Sequence, residues 1–324
     1  MLKARLQSVR DSSFGLLTLN YLLGQIRYRT GLKAHQSGAT HSRHTPEQGA
    51  NYVASVFRDY LDAGGLSVAD LQGASVLEVG PGDNLGVAAL FAAAGAKKVV
   101  CLDRFSSDRD ETKNRDVYRT LVTKTPLPAG LQLDRVFTPT YDLAPGVVEY
   151  RTDIPIELAS KNYPHGSFQV IVSRAVLEHV FDVPAAWSSM DALLAPGGWM
   201  LHKIDFRNHG FYSTRHPLAY MKVPPSWWGL ISSPDPTLNR QRESTYERLA
   251  AQSGYTARIG VTHLSSRTAE FLPPRMQWVE GSEYTAEDVA FVESIRPQLA
   301  EPFRSMTTRE LLVDGIFLAA RKSR

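Results

Sequence analysis

From Ala74 onward, short and continuously apolar runs alternate with stretches of helical spacing, and that alternation leaves few folds open. The runs lie at 75–79, 98–102, 147–151, 168–173 and 199–204; helical patterns follow at 84–94, 155–162 and 182–194, and a polar stretch follows the second run. Unbroken apolar strands separated by helices mark a parallel sheet covered on both faces. The 182–194 segment shows the pattern well. Asp182 stands at the cap, Pro184 in the first turn, and Val183, Trp187, Met190 and Leu194 share one face, with Gly197-Gly198 placed to end it. A helix at 240–253, closed by Gly254, and strand-like segments at 255–264 and 311–321 bring the strand count to seven. The expected architecture is α/β: one doubly wound, mainly parallel seven-stranded sheet over 73–324, with irregular inserts at about 206–240 and 265–310.

The first 72 residues read as helical and lack strand alternation. Thr45-Pro46-Glu47-Gln48 supplies a cap, a proline for the first turn and a capping-box partner. Val53, Val56, Phe57, Tyr60 and Leu61 follow at helical spacing, and Gly64-Gly65 stops the run. Residues 1–46 hold seven Lys/Arg against one acid, although the whole chain is only +3. Leu2, Leu6, Val9, Leu16, Leu19, Leu22 and Leu23 form an apolar stripe beside these charges. A helical lid over a ligand is the preferred role for residues 1–72, and a peripheral membrane contact through residues 1–33 is a lesser one. The remainder is slightly acidic and carries no recognition module, so nucleic acid is not an expected partner. The run from Phe14 to Ile26 is too short to span a bilayer, and no small-residue cleavage site follows it. Cys101 is the single cysteine. That excludes an internal disulfide and a cysteine-rich zinc site and points to a reducing, cytoplasmic setting.

The segment Val76-Leu77-Glu78-Val79-Gly80-Pro81-Gly82-Asp83-Asn84-Leu85-Gly86 runs a strand into a glycine turn that opens a helix. Bare backbone can approach a ligand closely there, and the helix start offers unpaired N–H groups. Leu85 stands where a dinucleotide fold would place its third glycine. Glu78 precedes the turn, Asp103 ends the next strand 21 residues beyond Gly82, and Asp153 ends the one after. Carboxylates at those tips can take ribose hydroxyls and an adenine amine. Such contacts without a pyrophosphate cradle favour a nucleoside cofactor.

With these residues in place, the chain resembles the class I S-adenosylmethionine-dependent methyltransferases, a Rossmann-like family. Glu78 to Gly86 match that family's first motif, Asp103 its ribose acid and Asp153 its adenine-side acid. The segment from Phe168 to Val180 resembles the fourth motif and its continuation, and Leu194-Ala-Pro-Gly-Gly198-Trp-Met-Leu resembles the turn before the fifth strand. Gln169 departs from the family's frequent Asp. The resemblance covers about residues 74–205. It implies S-adenosyl-L-methionine as cofactor, held by Glu78, Gly80, Gly82, Gly86, Asp103, Arg104, Asp153, Ile154 and Ser173.

Methyl transfer to a hydroxyl needs a base, and histidine titrates in the right range. His209, on the loop after the fifth strand, and His179, just past the fourth, are the candidate bases. His202 and Asp205 point to opposite faces of one strand, so no metal site is expected. Arg207, Tyr212, Arg215, His216, Trp227 and Trp228 crowd the first insert and are candidates to hold a small polar substrate such as a sugar, glycan precursor or natural product. N- or C-methylation, a nucleotide-dependent oxidoreductase and a non-catalytic scaffold share this architecture and stay open at the level of sequence.

Overall fold

The computed structural model describes residues 14–30, 44–209, 212, 216–232, 238–268 and 284–324. Its strands are β1 (Ser75–Val79), β2 (Lys98–Leu102), β3 (Glu149–Arg151), β4 (Phe168–Arg174), β5 (Leu194–Asp205), β6 (Thr256–Leu264) and β7 (Val313–Arg321). They form one sheet in the order β3-β2-β1-β4-β5-β7-β6. Neighbours from β3 to β5 pair in parallel, and β7 is antiparallel to both β5 and β6. The chain builds outward from β1 to β3, then returns to place β4 on β1's other side. That reversal opens a crevice at the carboxyl ends of β1 and β4, where ligands bind in open α/β sheets.

Helices cover both faces: α1 (Phe14–Arg29), α2 (Pro46–Gly64), α3 (Gly86–Ala93), α4 (Glu111–Thr123), α5 (Val183–Leu193), α6 (Pro225–Ser232), α7 (Glu243–Gln252), α8 (Ala286–Glu293) and the short α9 (Thr308–Leu312). Successive strand residues face opposite layers, as pleating requires. Val76 packs with α2 and α3, whereas Leu77 packs in the layer of α5 and the first insert. The capping box at Thr45 and the left-handed Gly65 bound α2 where the sequence places its ends. This helix buries Ala50, Val53, Phe57 and Tyr60 on the sheet and packs beside α3 and α4. The described residues among the first 72 therefore divide: α2 is a layer of the sheet, and α1 packs against α6.

Several elements differ from the sequence expectation: α6 and α8 form inside the inserts expected to be irregular, and three segments of the sheet domain change. The polar stretch after β2 contains α4, whose buried side is Asn114, Val117, Tyr118, Thr120 and Leu121. Its two polar members disguise the helical spacing. The 155–162 segment is a 3-10 run, Ile156–Lys161. Gly197-Gly198 does not end α5, which stops at Leu193; both glycines lie inside β5. A Cβ at Gly198 would stand 2.8 Å from the Gln169 carbonyl oxygen, so the missing side chain lets β5 lie close to β4.

The apolar stripe expected on α1 is also turned. Leu17 is buried and Leu22 half-buried, but Leu16, Leu19 and Leu23 are exposed. The aromatic partner decides the facing: Phe14 stacks on Tyr212 at 4.6 Å and Tyr21 meets its edge at 5.3 Å. Leu2, Leu6 and Val9 lie outside the described residues. Among the described residues, no helix is long and apolar enough to cross a membrane.

Candidate functional site

β1 delivers the chain into the glycine turn at the crevice. Gly80 has φ of +69°, and a Cβ there would stand 2.4 Å from Val176 Cγ2. Only a residue without a side chain can hold that bend against the segment after β4. At Gly86 a Cβ would come within 2.9 Å of Val53 on α2 and 2.7 Å of Asn84 Oδ1. Asn84 caps the turn by accepting the Gly86 N–H at 2.7 Å, and its own amide donates to Asn114 Oδ1 at 2.7 Å. Asn114 donates in turn to the Asp83 carbonyl at 3.1 Å, and the Leu85 N–H reaches the Tyr118 hydroxyl at 3.2 Å. Arg109 donates to the Gly82 carbonyl at 3.0 Å while its guanidinium lies 3.5 Å from the Tyr150 ring centre. Sequence reasoning missed Arg109, Asn114 and Tyr118. The signal that could have found them is the Asp110 cap followed by Asn114, Val117, Tyr118 and Leu121 at helical spacing.

Two expected carboxylates converge beside this turn. Glu78 is buried, and burial pushes its pKa up to about 7, partly opposed by the Cys101 thiol and by the Arg109 charge. The Cys101 S–H donates to Glu78 Oε2 at 3.7 Å. Asp103 follows β2, its N–H bonded to the Arg151 carbonyl at 2.9 Å. Burial raises its pKa, against hydrogen bonds from the N–H groups of Phe105 and Arg104. The Ile154 N–H donates to the Asp103 carbonyl at 3.3 Å, which brings Asp153 and Ile154 to the same edge. Asp153 is exposed, with φ of +61°. Arg104 pairs with Glu157 at 3.6 Å and lies over the Phe181 ring. Ser173 is fully buried, and its hydroxyl is 2.8 Å from His202 Nδ1. Burial drops the His202 pKa to about 3, so that imidazole stays neutral.

The second half of the crevice lies past β4 and β5. Glu178 and His179 sit on the 3-10 turn Leu177–His179, and His209 sits four residues beyond Asp205, the end of β5. Asn239 fixes the turn: its side-chain amide donates to the Leu177 and Val180 carbonyls at 2.7 and 3.0 Å, and its N–H to the Glu178 carbonyl at 2.8 Å. The His179 and His209 rings meet edge to face at 4.8 Å. His209 Nε2 is 3.9 Å from Glu178 Oε1 and 3.7 Å from Asp205 Oδ2. Burial and the neighbouring Asp205 charge push the Glu178 pKa well up. Burial acts the same way on Asp205, but hydrogen bonds from Arg207, with His209 close by, outweigh it and hold that carboxylate well below its usual range. The two candidate bases, far apart in sequence, are thus brought together.

The residues expected to meet a substrate separate into different places. Arg207 is exposed and clamps Asp205 through Nε at 2.8 and 3.0 Å. Tyr212 is fully buried under α1, bonded to Thr18 through its hydroxyl at 2.6 Å. His216 caps the turn at Pro217 by accepting the Leu218 N–H, and its other nitrogen donates to the Phe291 carbonyl at 3.1 Å. Trp228 is buried, its indole N–H on the Leu238 carbonyl at 2.8 Å and its ring beneath Arg240. Trp227 is 59% exposed. Tyr212, His216 and Trp228 therefore anchor the insert to the core, because a long loop must bury rings to keep one shape. Arg215 lies outside the described residues.

The family profile described as "Methyltransferase domain" matches residues 52–258, more than half of the chain. No curated protein matches the sequence. Among solved structures, the fold is similar to the CurJ carbon methyltransferase at 14% identity and TM-score 0.36, covering 78% of this chain and 49% of that one. It is similar to the trans-methyltransferase CalH in complex with SAH at 14% identity and TM-score 0.41, over 86% and 59% of the two chains. A third is phosphoethanolamine N-methyltransferase 2 of Haemonchus contortus in complex with S-adenosyl-L-methionine, at 15% identity and TM-score 0.44, over 88% and 59%. The chain spans about half the length of CurJ.

Proposed function

The chain belongs to the class I S-adenosylmethionine-dependent methyltransferases, and from that premise we propose that it methylates an oxygen of a small polar molecule, such as a sugar, glycan precursor or natural product. S-adenosyl-L-methionine supplies, when bound, a methyl group on a sulfonium, which an oxygen nucleophile takes in line as the sulfur leaves with the bonding pair. The chain's own residues suit that cofactor. A bend that excludes a Cβ at Gly80 gives it bare backbone, and the buried Glu78 offers negative charge to a cationic ligand. Asp103, at the tip of β2, would take the ribose hydroxyls, and Asp153 with Ile154 and Arg104 would border the adenine. Gly82 and Gly86 would shape the turn, and Ser173 would act from beneath, through its bond to His202.

The observation that carries the oxygen reading is the meeting of His179 and His209 beside Glu178 at the sheet's carboxyl edge. An imidazole there can accept a hydroxyl proton, whereas an amine acceptor needs no strong base for transfer. His209, the more exposed of the two, is the preferred base. Arg207 and Trp227 would border the acceptor. The helix α1 would act as a lid, since Thr18 and Tyr21 bond to Tyr212, three residues beyond His209. Its outward row of Leu16, Leu19, Leu23 and Ile26 suits, as a lesser role, a peripheral membrane contact. The acceptor is a small molecule rather than nucleic acid, and buried, reduced Cys101 suits a cytoplasmic setting.

The test is transfer of a labelled methyl group to a panel of hydroxylated metabolites, with product identified by mass and NMR. We expect an O-methyl product and a loss of about 10²-fold or more in kcat when His209→Ala and His179→Ala are combined. A methylated nitrogen or carbon, or a double variant within tenfold of wild type, would refute the reading.

A further inference from the structure

Glu178, His179 and His209 have a geometry that a pair of imidazole bases alone does not require. We propose that these three side chains bind one divalent transition-metal ion and that the ion positions the acceptor's oxygen; the second part rests on the proposed oxygen methylation, the first does not. One donor atom from each residue lies within 4.8 Å of the other two. Ligands about 2.0–2.2 Å from an ion stand roughly 3–3.5 Å from one another, so small rotations of the two rings would close the set.

Glu178 is the strongest single indication. It is 1% exposed, and no side chain donates a hydrogen bond to either carboxylate oxygen. Buried carboxylates are normally paired or hold a cation, because removing their charge from water without compensation is costly. His209 Nε2 stands 3.9 Å from Glu178, and the Lys203 charge also acts on the carboxylate. The backbone is prepared as well. Asn239 grips the Glu178 turn with three hydrogen bonds, at the Leu177, Glu178 and Val180 carbonyls, so two of the three donors ride on a fixed support. Asp205 adds negative charge next to His209, but Arg207 engages both its oxygens, which leaves it a neighbour rather than a ligand.

The donor set selects the ion. Two imidazoles and one carboxylate suit zinc, manganese or iron(II), whereas magnesium and calcium prefer oxygen throughout. Three protein ligands leave coordination positions open, and His209 is the exposed member of the set. An acceptor hydroxyl entering from that side would coordinate the ion and become more acidic. With the ion bound, the imidazoles would donate lone pairs to it and the hydroxyl proton would pass to water; without the ion, His209 would take that proton directly.

The experiment uses the full chain, stripped with a chelator and titrated separately with Zn²⁺, Mn²⁺ and Co²⁺ by calorimetry. Metal content is measured after dialysis, and the visible spectrum is recorded for Co²⁺. One ion per chain is expected, with affinity at least tenfold weaker in Glu178→Gln and in His209→Ala and unchanged in His216→Ala. If Glu178→Gln does not fold, His209→Ala at its exposed position decides the matter. Sub-stoichiometric uptake, or equal affinity in His209→Ala, overturns the ion site. Full-rate O-methylation by ion-free enzyme overturns the ion's role while the proposed function stands. Tight ion binding with methylation of nitrogen or carbon overturns the proposed function while the ion site stands.

Discussion

Replacing Glu78 by Gln should make the ligand-free protein more stable at alkaline pH and leave it nearly unchanged at acid pH. The Glu78 carboxyl is buried near the end of β1, two residues before Gly80, and its pKa rises from 4.5 to about 7. At 1.36 kcal/mol for each pKa unit, ionising that buried group costs the fold about 3 kcal/mol. The folded pKa lies above the unfolded one, so the wild-type advantage is complete below pH 4.5 and is lost as pH rises through 7. The amide of the variant cannot ionise and escapes that loss. Urea unfolding followed by tryptophan fluorescence, at pH 5 and pH 8 for both proteins, measures the difference. The variant should exceed wild type by up to about 3 kcal/mol at pH 8 and by less than about 1 kcal/mol at pH 5. A gap that stays constant with pH would refute the argument. So would a wild type that gains on the variant at pH 8. S-adenosylmethionine, being cationic, should reverse the order at pH 8 by binding wild type more tightly.

Two further outcomes follow from the packing. Gly80→Ala should destabilise by about 1–3 kcal/mol and cut cofactor affinity, through both the left-handed backbone and the contact with Val176. Adding Val176→Ala should restore the space but not the backbone strain; full recovery in calorimetry with S-adenosylhomocysteine would assign the effect to the clash alone. In the first insert, Trp228→Ala should cost about 3–5 kcal/mol as a core truncation, and Trp227→Ala should stay within about 0.5 kcal/mol. Equal losses in urea unfolding would contradict the burial of one ring and the exposure of the other.

Much of the scaffold could be read from residue order, because the physics that sets it is local. Pleating and helical periodicity fix which apolar residues share a face, and so the strands near 75–79, 98–102 and 168–173 were legible. Thr45 and Gly65 bound α2 through hydrogen bonds made within four residues. The glycine turn and its acids were legible for the same reason: a tight bend of bare backbone is a property of adjacent residues. The α4 segment was hidden because its buried face includes Asn114 and Thr120, which a polarity pattern places outside.

The remaining decisions belong to the tertiary structure. The spacing of His179 and His209 says nothing of a 4.8 Å ring contact, since β5 and its pairing with β4 carry one to the other. Nor does a stretch rich in rings reveal that Trp228 is held inside by the Leu238 carbonyl while Trp227 faces water. The outward turn of Leu16, Leu19 and Leu23 depends on where Tyr212 packs, nearly two hundred residues away. Local order selects elements and turns, because those energies are settled between near neighbours. Which side chains meet, which are buried without partners and which face the crevice are settled only when distant elements compete for the same space.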